Sequence, residues 1–125
     1  MKKKESILRG KSYNFAVRIV RLTQFLQQEK REFLLSKQVL RSETAIGALI
    51  REAEYAQSNA DFINKFSISL KEANETDYWL LLLKDTDYID AKMHQSFYQD
   101  CNDIISMLVS TVKTVKSKKL LTLSS

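Results

Sequence analysis

One histidine and one cysteine bound the side-chain chemistry open to this chain of 125 residues. His94 has no Asp or Glu three residues before it, so the Glu-x-x-His pairs of a di-iron bundle cannot form. Asp90 and His94 share a helix face at four-residue spacing, but two ligands do not hold a metal, and a solvent-facing pair is expected. Cys101 lies on an apolar stripe with no histidine near it in sequence, which marks a small core residue rather than a nucleophile. Two glycines cannot build a phosphate loop, a dinucleotide fingerprint or a nucleophile elbow. The expectation is no catalytic residue, no cofactor and no metal.

The carboxylates point to structure rather than catalysis. Ile68, Glu72, Glu75, Trp79 and Leu82 follow the four- and three-residue steps of one helical stripe. Two acids on a partly apolar face need a partner, because an unpaired charge there is expensive. Arg41 and Arg51, one helix earlier and in the same subunit or another, are the candidate partners. At least one buried or interfacial ion pair is expected.

The cations suggest a surface. Residues 1–41 carry 11 Lys/Arg against 3 Asp/Glu, residues 42–112 carry 5 against 12, and residues 113–125 add four lysines. Basic charge therefore sits at both ends of an overall +5 chain, a pattern suited to phosphate backbones. The candidate contacts are Lys2, Lys3, Lys4, Arg9, Lys11, Arg18 and Arg21, with Lys113, Lys116, Lys118 and Lys119. The competing reading is that these lysines only keep a helical surface soluble, and that the chain is a scaffold for a protein partner. The tyrosines and Trp79 fall at helical spacing, where aromatics usually belong to a core.

These residues need helices to position them. Without proline and with two glycines, a many-stranded sheet lacks its turns, so the fold class is all-α. The organising stretch runs from Ala60 to Lys84, where Phe62, Phe66, Leu70 and Ala73 share one face and Trp79 to Leu83 is apolar all round. Before it, a first helix from Lys11 or Ser12 to Gln28 presents Phe15, Ile19, Leu22 and Leu26, with Ser12 as the candidate N-cap. A second, from Ser36 or Lys37 to Gln57, turns Ala45, Gly47, Ala48, Ala53 and Ala56 inward, interleaved with Leu40, Ile46, Leu49 and Ile50. Gly47 there implies close approach of a neighbouring helix backbone. Ser58 to Asp61 makes a sharp junction with Ser58 as cap. The fourth helix, from Ile89 or Asp90 to Lys116, carries Met93, Phe97, Cys101, Ile104, Leu108, Val112 and Val115 at near-heptad spacing.

Four helices with short links predict an antiparallel up-down-up-down four-helix bundle in one domain, residues 1–125, with residues 1–10 and 118–125 as loosely held ends. The basic opening has no apolar run of signal-peptide length, and Tyr78 to Leu83 is far below the roughly 20 residues that cross a bilayer. A cytoplasmic protein without a membrane segment is expected.

Two adjoining segments carry a family resemblance. QVLRSETAIGALIREAEYAQS (Gln38 to Ser58) and ADFINKFSISLKEANETDYWLLLL (Ala60 to Leu83) resemble the four-helix bundle proteins named for 23S ribosomal RNA intervening sequences. That family's pattern is approximately Leu-Arg-Ser-Gly-Thr-Ser-Ile-Gly-Ala-Asn, then Glu-Ala, Asp-Phe, Ala-Leu-Lys-Glu-Ala, Glu-Thr and Tyr-Trp. The match covers about 46 residues without a gap, and NFAVRIVRL and TVKTVK also suit it. Glu43 departs where the family usually has Gly, and Leu49 where it often has Asn. The resemblance implies a ring-shaped homopentamer and kinship with the accessory variability proteins of diversity-generating retroelements. Those bind nucleic acid and a reverse transcriptase through basic surface, and for this chain RNA or DNA is the expected partner, RNA before DNA.

Overall fold

Apolar residues recur every three or four positions along nearly the whole chain, and each such run is a helix in the computed structural model. It describes the backbone of residues 2–124 and the side chains of residues 3–118. The elements are α1 (Lys2–Glu29), α2 (Leu35–Ala53), α3 (Asn59–Asp85) and α4 (Ala91–Ser124). Each helix packs on its neighbour in sequence, and α1 closes on α4, giving the antiparallel four-helix bundle.

On α1 the stripe Leu8, Ser12, Phe15, Ile19, Leu22 and Leu26 faces inward, and on α4 the stripe Phe97, Cys101, Ile104, Leu108 and Val115 meets it. Small side chains dominate between α2 and α3. Ser42 and Thr76 share a 2.8 Å hydroxyl hydrogen bond, and Ser69 donates to the Ile46 carbonyl at 3.2 Å. With Ala73 fully buried beside them, these residues let the two backbones approach closely while keeping every hydroxyl satisfied.

The helix ends depart from the sequence reading. Residues 2–10 are not a loose lead-in: α1 begins at Lys2, and Leu8 is fully buried. Ser12 is therefore no cap; it lies inside the helix and donates to the Arg9 carbonyl at 3.0 Å. At its far end α2 stops at Ala53, four residues short of the expected Gln57. Ser58 does cap α3, accepting from the Asp61 amide at 3.0 Å, while Asp61 accepts from the Gln57 amide at 3.2 Å. Helix α4 continues through Ser124, although the side chains of residues 119–125 lie outside the described residues.

Both glycines sit inside helices, so the turns use other residues. Arg31 (φ 55°) and Asp87 (φ 68°) take the left-handed conformation that ends α1 and α3. The amide of Glu32 reaches back to the Leu26 carbonyl at 3.0 Å, closing the first of these ends. Leu34 then occupies the N-cap of α2, where a leucine offers no acceptor. Glu32, only 7% exposed, does the capping instead. Its carboxylate accepts from the amides of Leu34 (3.1 Å), Leu35 (3.0 Å) and Ser36 (2.8 Å).

The inward face assigned to α2 is also revised. Of the small residues, only Ala53 is buried, and a Cβ placed on Gly47 would meet nothing within 4 Å. No backbone approaches Gly47. It lies instead over a trench of about 350 Å³ between α1 and α2, walled by Arg9, Tyr13 and Arg51 and floored by Ala16, Thr44 and Ala48. Ile46, Ile50 and Ala53 face the core as expected, and Val39 and Glu43 join them there. On α3, Leu80 and Leu83 enter the core while Leu81 is 42% exposed, so the apolar run is covered on one side only.

Candidate nucleic-acid interface

An antiparallel bundle brings the start of α1 and the end of α4 together, and the Lys4 ammonium donates to the Ser110 hydroxyl. The end of α2 and the start of α3 complete this end, where Glu5, Ala53, Ser58, Phe62, Val115 and Lys118 line a cleft of about 420 Å³. Among the described side chains, segments 3–11, 51–65 and 111–118 hold nine Lys/Arg and four Asp/Glu. The remaining segments, 12–50 and 66–110, hold nine and eleven. The bundle is basic at one end and slightly acidic over the rest.

The eleven candidate cations do not form one patch. Lys3, Lys113 and Lys116 are exposed at the basic end and make no ion pair among the described residues. Lys4 is held by Ser110, and Lys118 lines the cleft. The next three are committed within the chain. Arg9 pairs with Glu54, and Lys11 lies 4.0 Å from Asp103. Arg18 pairs with Asp100, donates to the Ser96 hydroxyl at 2.8 Å and lies 4.2 Å over the Phe97 ring. Arg21 is exposed but stands roughly 25 Å along α1 from Lys4, at 1.5 Å per residue. The side chains of Lys2 and Lys119 lie outside the described residues.

Sequence reasoning missed the partners Glu54, Asp100 and Asp103 because each needs a register. Once Lys4 stands beside Ser110, the antiparallel α1–α4 pair sets Lys11 beside Asp103 and Arg18 beside Asp100.

On another face, Arg41 of α2 reaches across to α3, pairing with Glu75 and lying 3.4 Å from Glu72. Glu75 also accepts from the Trp79 indole at 3.1 Å. Arg51 makes no such contact; it walls the trench. The Arg41 side chain is 51% exposed and that of Glu75 30% exposed, so water screens the pair. Glu75→Ala is accordingly expected to cost about 1 kcal/mol in chemical denaturation rather than the 3–5 kcal/mol of a buried pair. Glu75→Gln should retain part of it by keeping the Trp79 bond. A loss of several kcal/mol would mean that the cluster is covered by another subunit.

Of the remaining chemistry-bearing groups, Cys101 and Asp90 are hydrogen-bonded within the chain, while the buried Nε2 of His94 has no hydrogen-bond partner among the described residues. Cys101 is fully buried, donates to the Ala73 carbonyl at 3.3 Å, and has its thiol pushed up to about 12, chiefly by burial and then by Asp77, Glu43 and Asp100. Such a thiol is no nucleophile. Asp90 does not form a surface pair with His94. It accepts from the Met93 amide at 2.7 Å at the start of α4, and His94 stacks on Tyr98 with a centroid separation of 6.0 Å. Among the described residues no three His, Cys, Asp or Glu side chains converge on a point where a metal ion would fit, and no helix is long and apolar enough to cross a membrane.

Glu43 is the residue the sequence reading left without a role. It lies wholly in the core, neither carboxyl oxygen has a hydrogen-bond partner, and burial pushes the group up from 4.5 to about 8.

Helix order and packing define an antiparallel all-α bundle, and its charge is divided between a basic end and a slightly acidic remainder. The family model for 23S rRNA-intervening sequence proteins matches residues 4–110, and the chain belongs to that family. It is similar to a crystal structure of a protein of unknown function from the S23 ribosomal protein family of Bacteroides thetaiotaomicron. The two are 55% identical with a TM-score of 0.87, covering 88% of this chain and 98% of that one. No curated protein matches.

Proposed function

We propose that the chain is a cytoplasmic, non-catalytic accessory protein that forms a homo-oligomer and binds nucleic acid, RNA before DNA, through its basic end. The observation that carries this reading is the gathering of unpaired Lys3, Lys113 and Lys116 at one end of a bundle whose remainder is slightly acidic. Such a charge division orients an approaching phosphate backbone toward that end.

Self-association is supported by the trench at Gly47 and by the exposed Ile68, Tyr78 and Leu81 of α3. A small-residue floor with no helix on it suits a helix from a second copy, and a pentameric ring is the form the family resemblance implies. Repetition around a ring would multiply weak phosphate contacts, since later ones form within an already bound complex.

One observation favours a second reading. Arg9, Lys11 and Arg18 are neutralised by the chain's own carboxylates, as expected of a scaffold that recruits a protein partner and uses its lysines for solubility. Titrating labelled single-stranded RNA and duplex DNA at about 50 and 200 mM salt separates the two. Three phosphate contacts per bound protomer predict a loss of about 20-fold for the single strand and about 40-fold for the duplex over that range. The triple variant Lys3→Ala, Lys113→Ala, Lys116→Ala should bind weakly at both salts and keep the sedimentation coefficient of the wild type. No binding at low salt leaves the scaffold reading. A monomer at tens of micromolar overturns the oligomer.

A further inference from the structure

Glu43 occupies the middle of a core stripe, between Val39 and Ile46 on α2, with no exposed surface and no hydrogen bond to either carboxyl oxygen. The charged and titratable groups around it offer no counter-ion. The titratable group that senses Glu43 is the Cys101 thiol of α4, on which Asp77 of α3 and Asp100 of α4 act in the same direction. The cation that α1 contributes, Arg18, is bound to Asp100, Ser96 and the face of Phe97. Arg41, two positions earlier on α2, reaches the outer face of α3. Glu43 thus lies in the core with neither a counter-ion nor a hydrogen bond, and burial alone raises its titration. An ionised carboxylate without partners is very costly in such a place, whereas a neutral carboxylic acid is tolerated.

We propose that Glu43 is a pH sensor built into the bundle, protonated in the folded core at neutral pH and loosening α2 from its neighbours α1 and α3 when mildly alkaline solution removes that proton. The direction follows from linkage. The folded group titrates near 8 against 4.5 when not folded, so the folded state binds the extra proton between those values. The stabilisation is fully present below about pH 4.5, declines as pH rises, and is gone once pH passes about 8. Within that window each pH unit costs about tenfold in the folding equilibrium, about 3,000-fold in all.

The test is urea unfolding of the full chain, followed by helical circular dichroism at pH 5, 6, 7, 8 and 9, for wild type, Glu43→Gln and Glu43→Leu. The wild-type unfolding constant is expected to rise with a slope approaching one proton per molecule between pH 5 and 8. The same plot for either variant should lack that one-proton component. An unchanged slope in a folded variant overturns the proposal. Wild-type protein alone gives a second reading if neither variant folds. Its infrared spectrum should show a protonated-carboxyl band at pH 7 that fades near pH 8. A spectrum with only ionised carboxylates at pH 7 refutes the sensor.

Discussion

Replacing Glu32 with alanine is expected to destabilise the protein by about 3 kcal/mol, the joint cost of three charge-assisted hydrogen bonds and a lost helix cap. The first amides of a helix have no intrahelical acceptor, and the residue at the cap of α2 is Leu34, which supplies none. One carboxylate takes the amides of Leu34, Leu35 and Ser36 at 2.8–3.1 Å, and the Ser36 hydroxyl returns a bond to the Glu32 carbonyl at 3.0 Å. The group is nearly sealed from solvent, so water cannot replace it without opening the α1–α2 corner. For a domain of this size the loss corresponds to a melting temperature lower by roughly 10 °C. Glu32→Gln, which keeps an acceptor oxygen but not the charge, should lose about half as much. If Glu32→Ala melts within 2 °C of wild type, the corner is held by packing and the capping argument fails.

The same corner shows why parts of the fold were not legible in the sequence. Stripes on α1 and α4 stood out because heptad spacing of large apolar residues has no other common use. The start of α1 did not, since its first two turns are lysines and mostly polar residues around a single buried Leu8, and such a segment reads as a tail. The turns at Arg31 and Asp87 were legible as the polar runs Gln27–Glu32 and Asp85–Asp87, but their left-handed residues were not, because that backbone is ordinarily announced by Gly or Asn. Glu43 was legible by position. Val39, Glu43, Ile46, Ile50 and Ala53 keep strict four- and three-residue steps, but a carboxylate interrupts the apolar pattern that announces a core stripe. The basic end was visible as charge at both chain termini. Which cations remain free was not, because Arg9, Lys11 and Arg18 meet their acids only through the packing of α1 on α2 and α4.

The central place of α3 has its own measurable consequence at Phe66, where truncation to alanine is expected to cost about 4 kcal/mol. Phe66 is 1% exposed and is the one aromatic that α3 buries fully; its companions inside are Ala73, Leu80 and Leu83. The ring stacks on Phe62 with a centroid separation of 4.4 Å and an interplanar angle of 28°. Deleting it removes apolar surface from the core and leaves a void that three packed helices fill only partly, and both terms add to the loss. In urea, with a slope of about 2 kcal/mol per molar for a chain of this size, the midpoint should fall by roughly 2 M. Phe62, half-buried at the cleft of the basic end, is the internal comparison: its truncation removes the stacking partner but opens onto solvent rather than into the core. Phe62→Ala should therefore cost about half as much. Equal losses would show that the first turns of α3 unfold as a unit with the cap at Ser58, and the fully enclosed ring would then owe its effect to the helix end rather than to the core.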